Sequence, residues 1–351
     1  MSNDVFFLGA GFSKAIYETY PTLKELSEYV KNEIQDEEVN PICEHYKNGI
    51  PEQLKNNVEA LLSYLSADWP WKNGRQRYEN LALYEKIIEK IQLKFLAEFI
   101  SFERERKDIE KGIILPDFGD ENEKIAKQFF EYILKNNAES TRKDIITLNY
   151  DLVCEAAFNR YKTHPNRIYE EELYQMPIPN VEVRNGNGFW GSYSMPNTPH
   201  IIKLHGSVNW YWAGRSPTDV IYYVSKSSFT EVNLLGLQPC IIPPVMDKTP
   251  FYDHAILRGL WETAERKLKK ADNIYIIGFS FPPSDLSVRF LFQSALQRTN
   301  APNISIINTD ASEKFKENCK DVFGKIPLDY TYCCEDAFKK FVLEYLKTKA
   351  R

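Results

Sequence analysis

No C-x-x-C pair occurs in this chain. Its six cysteines, Cys43, Cys154, Cys240, Cys319, Cys333 and Cys334, are spaced so that neither a zinc ribbon nor a redox dithiol can be read from them. Reduced thiols are the expectation. A basic excess is missing as well: 44 Lys and Arg stand against 49 Asp and Glu, a formal net charge of −5. This disfavours a protein whose affinity rests on neutralising phosphates, so no direct nucleic-acid contact is expected. No apolar run approaches the roughly 18 residues of a membrane span. Met1 to Leu8 lead straight into an apolar strand instead of a basic and then long apolar leader. A cytoplasmic protein without membrane contact is therefore expected. What the chain does have is 351 residues, 43% of them hydrophobic, with 21 Tyr and 21 Phe, enough to fill a large core. Disorder, collagen and coiled coil drop out, and the length suggests two domains or one domain with large insertions.

Val5-Phe6-Phe7-Leu8 is an apolar run without alternation, the pattern of a strand covered on both faces of a parallel sheet. It ends in Gly9-Ala10-Gly11-Phe12-Ser13-Lys14. From Pro21 to Ser140 the pattern is helical, with no clear strand. Thr22 and Glu25 have capping-box spacing, Val58, Leu61, Leu62 and Leu65 share one helical face, as do Ile87, Ile88, Ile91, Phe95 and Phe99, and a further helix is expected over 125–134. Strands resume at 144–148, 201–204, 274–277 and 304–307, with short ones at 221–224 and 240–242 and helices at 152–160, 261–270, 286–297 and 335–346. Residues 163–199, rich in Pro, Asn, Gly and Tyr, read as irregular. The recurring apolar strand followed by a helix predicts an α/β fold: a doubly wound, Rossmann-like parallel sheet with a large helical insertion after the first strand. Residues 1–20 and 141–351 would form the sheet domain, and 21–140 the insertion.

In such sheets ligands sit outside the carboxyl ends of the strands. Gly9 and Gly11 follow a buried strand and open a helix-prone segment, so their backbone N–H groups are candidates for holding a pyrophosphate. The dinucleotide fingerprint is incomplete, because Lys14 stands where a third glycine is expected and no strand-end acid follows about 20 residues on. A hydride-transferring dehydrogenase is disfavoured. Three other strand ends carry polar groups: Asn149 with Asp151, His205 with Ser207, and Ser280 with Asp285.

Gly9-Ala10-Gly11-Phe12-Ser13, Asn149-Tyr150-Asp151, His205-Gly206-Ser207 and Gly278-Phe279-Ser280 occur in the order and strand context of the sirtuin-like NAD-binding proteins. From Val5 to Asn308 the chain resembles that family, above all its divergent prokaryotic branch of NAD-consuming effectors in antiphage defence. The resemblance implies a sirtuin-like Rossmann NAD-binding domain in which residues 9–13 bind the pyrophosphate of NAD+. It further implies that Asn149 and His205 are essential for cleaving the nicotinamide–ribose bond and that Asp151 lies near the nicotinamide pocket. Gly278, Ser280 and Asn308 would lie where phosphates and the adenosine ribose are contacted. The chain departs from protein-deacylating sirtuins in having Lys14-Ala15-Ile16-Tyr17 after the glycine turn and no cysteine quartet for zinc. Water is then the expected acceptor, and no metal is expected.

The expectation is an NAD+ glycohydrolase releasing ADP-ribose and nicotinamide, with NAD+ as substrate, held in check until triggered in an abortive antiviral response. Control would come from homo-oligomerisation, a separate sensor or ATPase subunit, or both. His205, with an ordinary imidazole pKa near 6.5, would act as base, and Asn149 would orient water or a ribose hydroxyl. The alternatives are a non-catalytic module that binds NAD or ADP-ribose, and an NAD-dependent protein deacylase.

Overall fold

The computed structural model describes residues 2–36, 41–110, 120–135, 143–161, 173–174, 178, 180–181, 189–190, 199–212, 219–224, 237–245, 248 and 251–349. Six strands form a parallel sheet: β1 (Asp4–Leu8), β2 (Lys143–Thr147), β5 (Ile201–Lys203), β9 (Asn273–Ile277), β10 (Asn303–Asn308) and β11 (Leu328–Cys333). Their order is β11-β10-β9-β1-β2-β5, with every neighbour pair parallel. The chain builds outward from β1 to one edge through β2 and β5, then returns to the other side of β1 with β9, β10 and β11. This is the doubly wound arrangement, with its switch point between β1 and β9. All five residues of β1, β2 and β9 are buried, which explains the apolar runs without alternation.

Between β1 and β2 lie α1 (Ala10–Ile16) and the helical block: α2 (Leu23–Asp36), short turns α3 (Pro41–Glu44) and α4 (Glu52–Lys55), α5 (Val58–Ser66), α6 (Gly74–Glu110) and α7 (Asp120–Leu134). The capping box ahead of α2 forms, with the Thr22 N–H donating to Glu25 Oε2 at 2.8 Å. Asn57 caps α5 by accepting from the Ala60 N–H at 3.1 Å. Val58, Leu61, Leu62 and Leu65 then bury together, joined by Ile87, Ile91 and Phe95 of α6. Their core is continuous with one face of the sheet through Phe6, Leu8 and Tyr275. On the other face α9 (Ala255–Lys270), α10 (Leu286–Ala295) and α11 (Glu313–Phe323) pack on Val5, Phe7, Ile274 and Ile276. After β2 comes α8 (Val153–Tyr161), and after β11 the chain closes with α12 (Ala337–Lys340), which continues as a π turn over Phe341–Leu346.

Several elements differ from the sequence reading. The strand β11 and helix α11 were not expected. The short strands are part of a second sheet, ordered β4-β3-β7-β6-β8, from β3 (Asn180–Val181), β4 (Phe189–Trp190), β6 (Gly206–Trp212), β7 (Ile221–Val224) and β8 (Gln238–Ile241). Two of these strands fall within 163–199, expected to be irregular; most of that span, like the Phe99 side chain, lies outside the described residues. Helix α9 starts six residues before Trp261, and the last helix starts at Ala337 instead of Glu335. No described helix is long and apolar enough to cross a membrane.

Candidate functional site

The carboxyl ends of β1, β2, β5, β9 and β10 open into one cavity of about 730 Å³, within the range of roughly 300–1,000 Å³ usual for small-molecule sites. Gly9, Ala10, Gly11, Ser13, Asn149, Asp151, His205, Gly278, Ser280 and Asn308 all line it. Phe12 does not: its ring packs in the core against Phe129, Phe130 and Phe338.

The glycine turn is built differently from the sequence reading. The N–H of Gly9 donates to Ile277 O at 2.9 Å, that of Gly11 to Gly278 O at 3.1 Å and that of Phe12 to Gly9 O at 3.0 Å. These amides are engaged within the protein, so the glycines serve close approach of two backbones more than anion binding. A Cβ on Gly9 would lie 2.5 Å from Gly278 O, and one on Gly278, whose φ is +66°, would lie 2.3 Å from the Phe12 nitrogen. The Ala10 amide, at the start of α1, forms no such bond to a described residue and lies at the positive end of the helix dipole.

Asn149 follows β2 and ties its end to the turn after β1. Its Nδ2 donates to Gly9 O and to Ser13 Oγ, each at 2.9 Å, and its own N–H donates to Thr147 Oγ1 at 3.0 Å. Because Gly9 O can only accept, the amide orientation is fixed, and Oδ1 is left without a bond to a described residue at the edge of the cavity that Asn149 lines. The Ser13 hydroxyl in turn bonds the Asp151 carboxyl, which also accepts the Val153 N–H at 3.0 Å at the start of α8. Burial raises the Asp151 pKa, against the opposing pull of Lys203 and these bonds.

His205 is presented by the β5 end, its carbonyl held by the Ile242 N–H at 2.8 Å. The ring lies between Tyr150 and Trp261, at centroid distances of 6.5 and 6.2 Å. Its Nε2 is buried with no partner among the described residues, an orphaned polar atom in a residue that lines the cavity. Burial, aided by Lys248 and opposed by Asp285, holds the imidazole down at about 4. The ordinary value near 6.5 expected from sequence therefore does not apply, and at neutral pH the ring is an uncharged acceptor or donor.

Asn308 faces inward to the protein: its Nδ2 donates to Phe279 O at 3.1 Å and its Oδ1 accepts the Asp310 N–H at 3.0 Å. It thereby shapes the turn carrying Ser280, which is exposed at the cavity. Sequence reasoning missed several lining groups. Lys248 pairs with Asp285, and Glu59 of α5 accepts from Ser284 Oγ at 3.2 Å, bringing the helical block over the cavity. No local pattern marks them, since only the fold brings them to the strand ends.

Beneath the site, Lys203 and Glu155 form an ion pair at 3.0 Å with both side chains 1% exposed. Lys203 Nζ also donates to the Asp151 carbonyl, and Glu155 Oε1 accepts from Tyr174 OH at 2.9 Å. Among the described residues no cluster of His, Cys, Asp or Glu could hold a metal ion.

A family model described as a SIR2-like domain matches residues 143–323, just over half of the chain. Among solved structures, a Sir2 homologue variant in complex with 2'-O-acetyl ADP ribose is similar at 14% identity over 99% of this chain and 93% of that one, with a TM-score of 0.46. A Sir2 homologue–NAD complex is similar at 14% identity over 98% and 91%, with a TM-score of 0.43. No curated protein matches by sequence.

Proposed function

The chain belongs to the SIR2-like family, and from that premise we propose that it is an NAD+ glycohydrolase, cleaving NAD+ to ADP-ribose and nicotinamide. The observation that supports the reading is that Asn149 and His205, whose buried Nε2 has no partner among the described residues, both line the cavity outside the switch point of the sheet. The glycosidic nitrogen leaves as neutral nicotinamide, so no acid is needed for departure. The C1'–N bond breaks with its electron pair passing to the ring nitrogen, and positive charge develops on the ribose. Asn149 Oδ1 orients a water or ribose hydroxyl, and neutral His205 accepts the proton released as the water oxygen bonds C1'. The Ala10 amide at the start of α1 favours the pyrophosphate.

Release of nicotinamide from NAD+ by the purified protein, with and without an acetylated peptide, tests this. Release without peptide, lost in His205→Ala and Asn149→Ala, is the expected result. Binding without release would instead make the protein a regulatory module, and release only with peptide would make it a deacylase. The motif resemblance to NAD-consuming defence effectors supports a role in antiphage defence by NAD+ depletion, with activity released by self-assembly or by a sensor or ATPase subunit. Comparing NAD+ levels in infected cells carrying wild type or His205→Ala tests that role: the variant should leave the pool intact.

A further inference from the structure

The helical block contributes to the cavity a carboxylate that no described residue balances with an ion pair. Six carboxylates line the cavity, Glu18, Glu59, Glu121, Asp151, Asp285 and Asp336, and three of them have close partners. Asp285 is paired with Lys248, Glu121 with Lys339 at 2.6 Å, and Asp151 is held by Ser13 and the Val153 amide. Glu59 meets only the Ser284 hydroxyl and forms no ion pair with any described residue. Its place is the His205 end of the cavity. Ser284 precedes Asp285, and the charges of Glu59 and Asp285 are both felt by the Tyr150 hydroxyl, whose ring stands beside His205. The opposite side carries both signs: Lys14 of α1 is paired with Glu25 at 2.6 Å, Lys339 of α12 is paired with Glu121, and Glu18 and Asp336 line it too. Among the described residues, Glu59 is thus the carboxylate without an ion pair at the His205 end of the cavity. The pyridinium of a dinucleotide whose nicotinamide ribose sits at His205 is the cation that such a carboxylate would meet.

Resting on the reading of this cavity as a dinucleotide site, we infer that Glu59 is the carboxylate that faces the ribosyl-pyridinium cation and makes the site select the oxidised, positively charged dinucleotide over its reduced, neutral form. The same charge stabilises the reaction's transition state, because the positive charge stays within its reach while passing from the ring to the ribose. The insertion is thus part of the site as well as its cover.

The test is titration of the full chain with three ligands: carbocyclic NAD+, which keeps the pyridinium but resists cleavage, NADH, and ADP-ribose, which lacks the ring. Wild type should bind carbocyclic NAD+ more tightly than NADH by about tenfold or more. Glu59→Gln keeps the bond to Ser284 and removes the charge; it should bring the two affinities within about twofold and leave ADP-ribose unchanged. Ser284→Ala keeps the charge and should keep the preference. A preference absent from wild type, retained in Glu59→Gln or lost in Ser284→Ala overturns the assignment of Glu59, and if ADP-ribose still binds, the dinucleotide reading stands. Failure of all three ligands to bind wild type overturns both.

Discussion

Asn149 Nδ2 donates to Gly9 O at 2.9 Å across 140 residues of sequence, pinning the end of β2 to the turn that follows β1. The bond sets both the spacing of two strand ends and the direction of Asn149 Oδ1. Replacing the amide by a carboxylate puts an acceptor against an acceptor. Asn149→Asp should therefore lose stability by about 1–3 kcal/mol, the cost of leaving a buried polar group unpaired, and lose nicotinamide release as well. Chemical denaturation and the release assay check the two effects separately. A variant as stable as wild type would mean that the bond to Gly9 does not set the turn.

Gly278, at the switch point, and Gly324, which follows α11, make a second prediction. Gly278 and Gly324 both have positive φ, +66° and +58°, but a Cβ on Gly324 would meet nothing within 4 Å, whereas one on Gly278 would press on the Phe12 nitrogen. Gly324→Ala should cost about 1 kcal/mol for the left-handed backbone alone. Gly278→Ala should cost at least a few kcal/mol more, because the turns after β1 and β9 must separate. Thermal unfolding of the pair isolates the crowding, with the lone-φ variant as reference. Equal losses would show that the two turns are free to part.

Why some of this was legible and some was not follows from burial. Strands β1, β2 and β9 are covered on both faces and read as unbroken apolar runs. Strand β11 alternates exposed and half-buried residues at the sheet edge, so Leu328-Asp329-Tyr330-Thr331 carries no such run. Helix α11 did carry a signal, Ser312 as cap with Phe315, Cys319, Val322 and Phe323 on one face, but its charged residues dominate the span. The strand-end residues Asn149 and His205 were readable because the fold class dictates where to look. What they bond to was not. Glu59, Gly9 and Lys248 reach the site from elements far apart in sequence, and the depressed imidazole of His205 is a property of its surroundings.

Lys203 and Glu155 supply a third prediction. Both are almost fully buried, and Lys203 also holds the Asp151 carbonyl two residues past Asn149. Lys203→Met leaves the Glu155 carboxylate buried without its cation and should destabilise the protein by about 3–5 kcal/mol. The double variant Lys203→Met with Glu155→Gln removes both charges and should recover a large part of that loss. Nicotinamide release should not return with the stability, because the Asp151 carbonyl has lost its donor. Recovery of both together would reduce the pair to a purely structural element.

The imidazole of His205 gives the protein a defined pH dependence. Its pKa is about 4 in the fold, driven down chiefly by burial, with Lys248 lowering and Asp285 raising it, against 6.5 for the exposed ring. Between these values the unfolded chain binds a proton that the native one refuses. The stability from keeping this ring neutral is thus fully present above about pH 6.5 and is lost as pH falls toward 4, to a maximum of about 3 kcal/mol. Urea denaturation of wild type and His205→Gln across this interval should give a steeper fall for wild type. Activity should follow the same group. The acid limb of kcat/KM, which reports ionisation in the free enzyme, should be centred nearer 4 than 6.5. A limb at 6.5 together with parallel stability curves would mean that the ring titrates as an exposed one, and the buried, partnerless Nε2 could not then be the base.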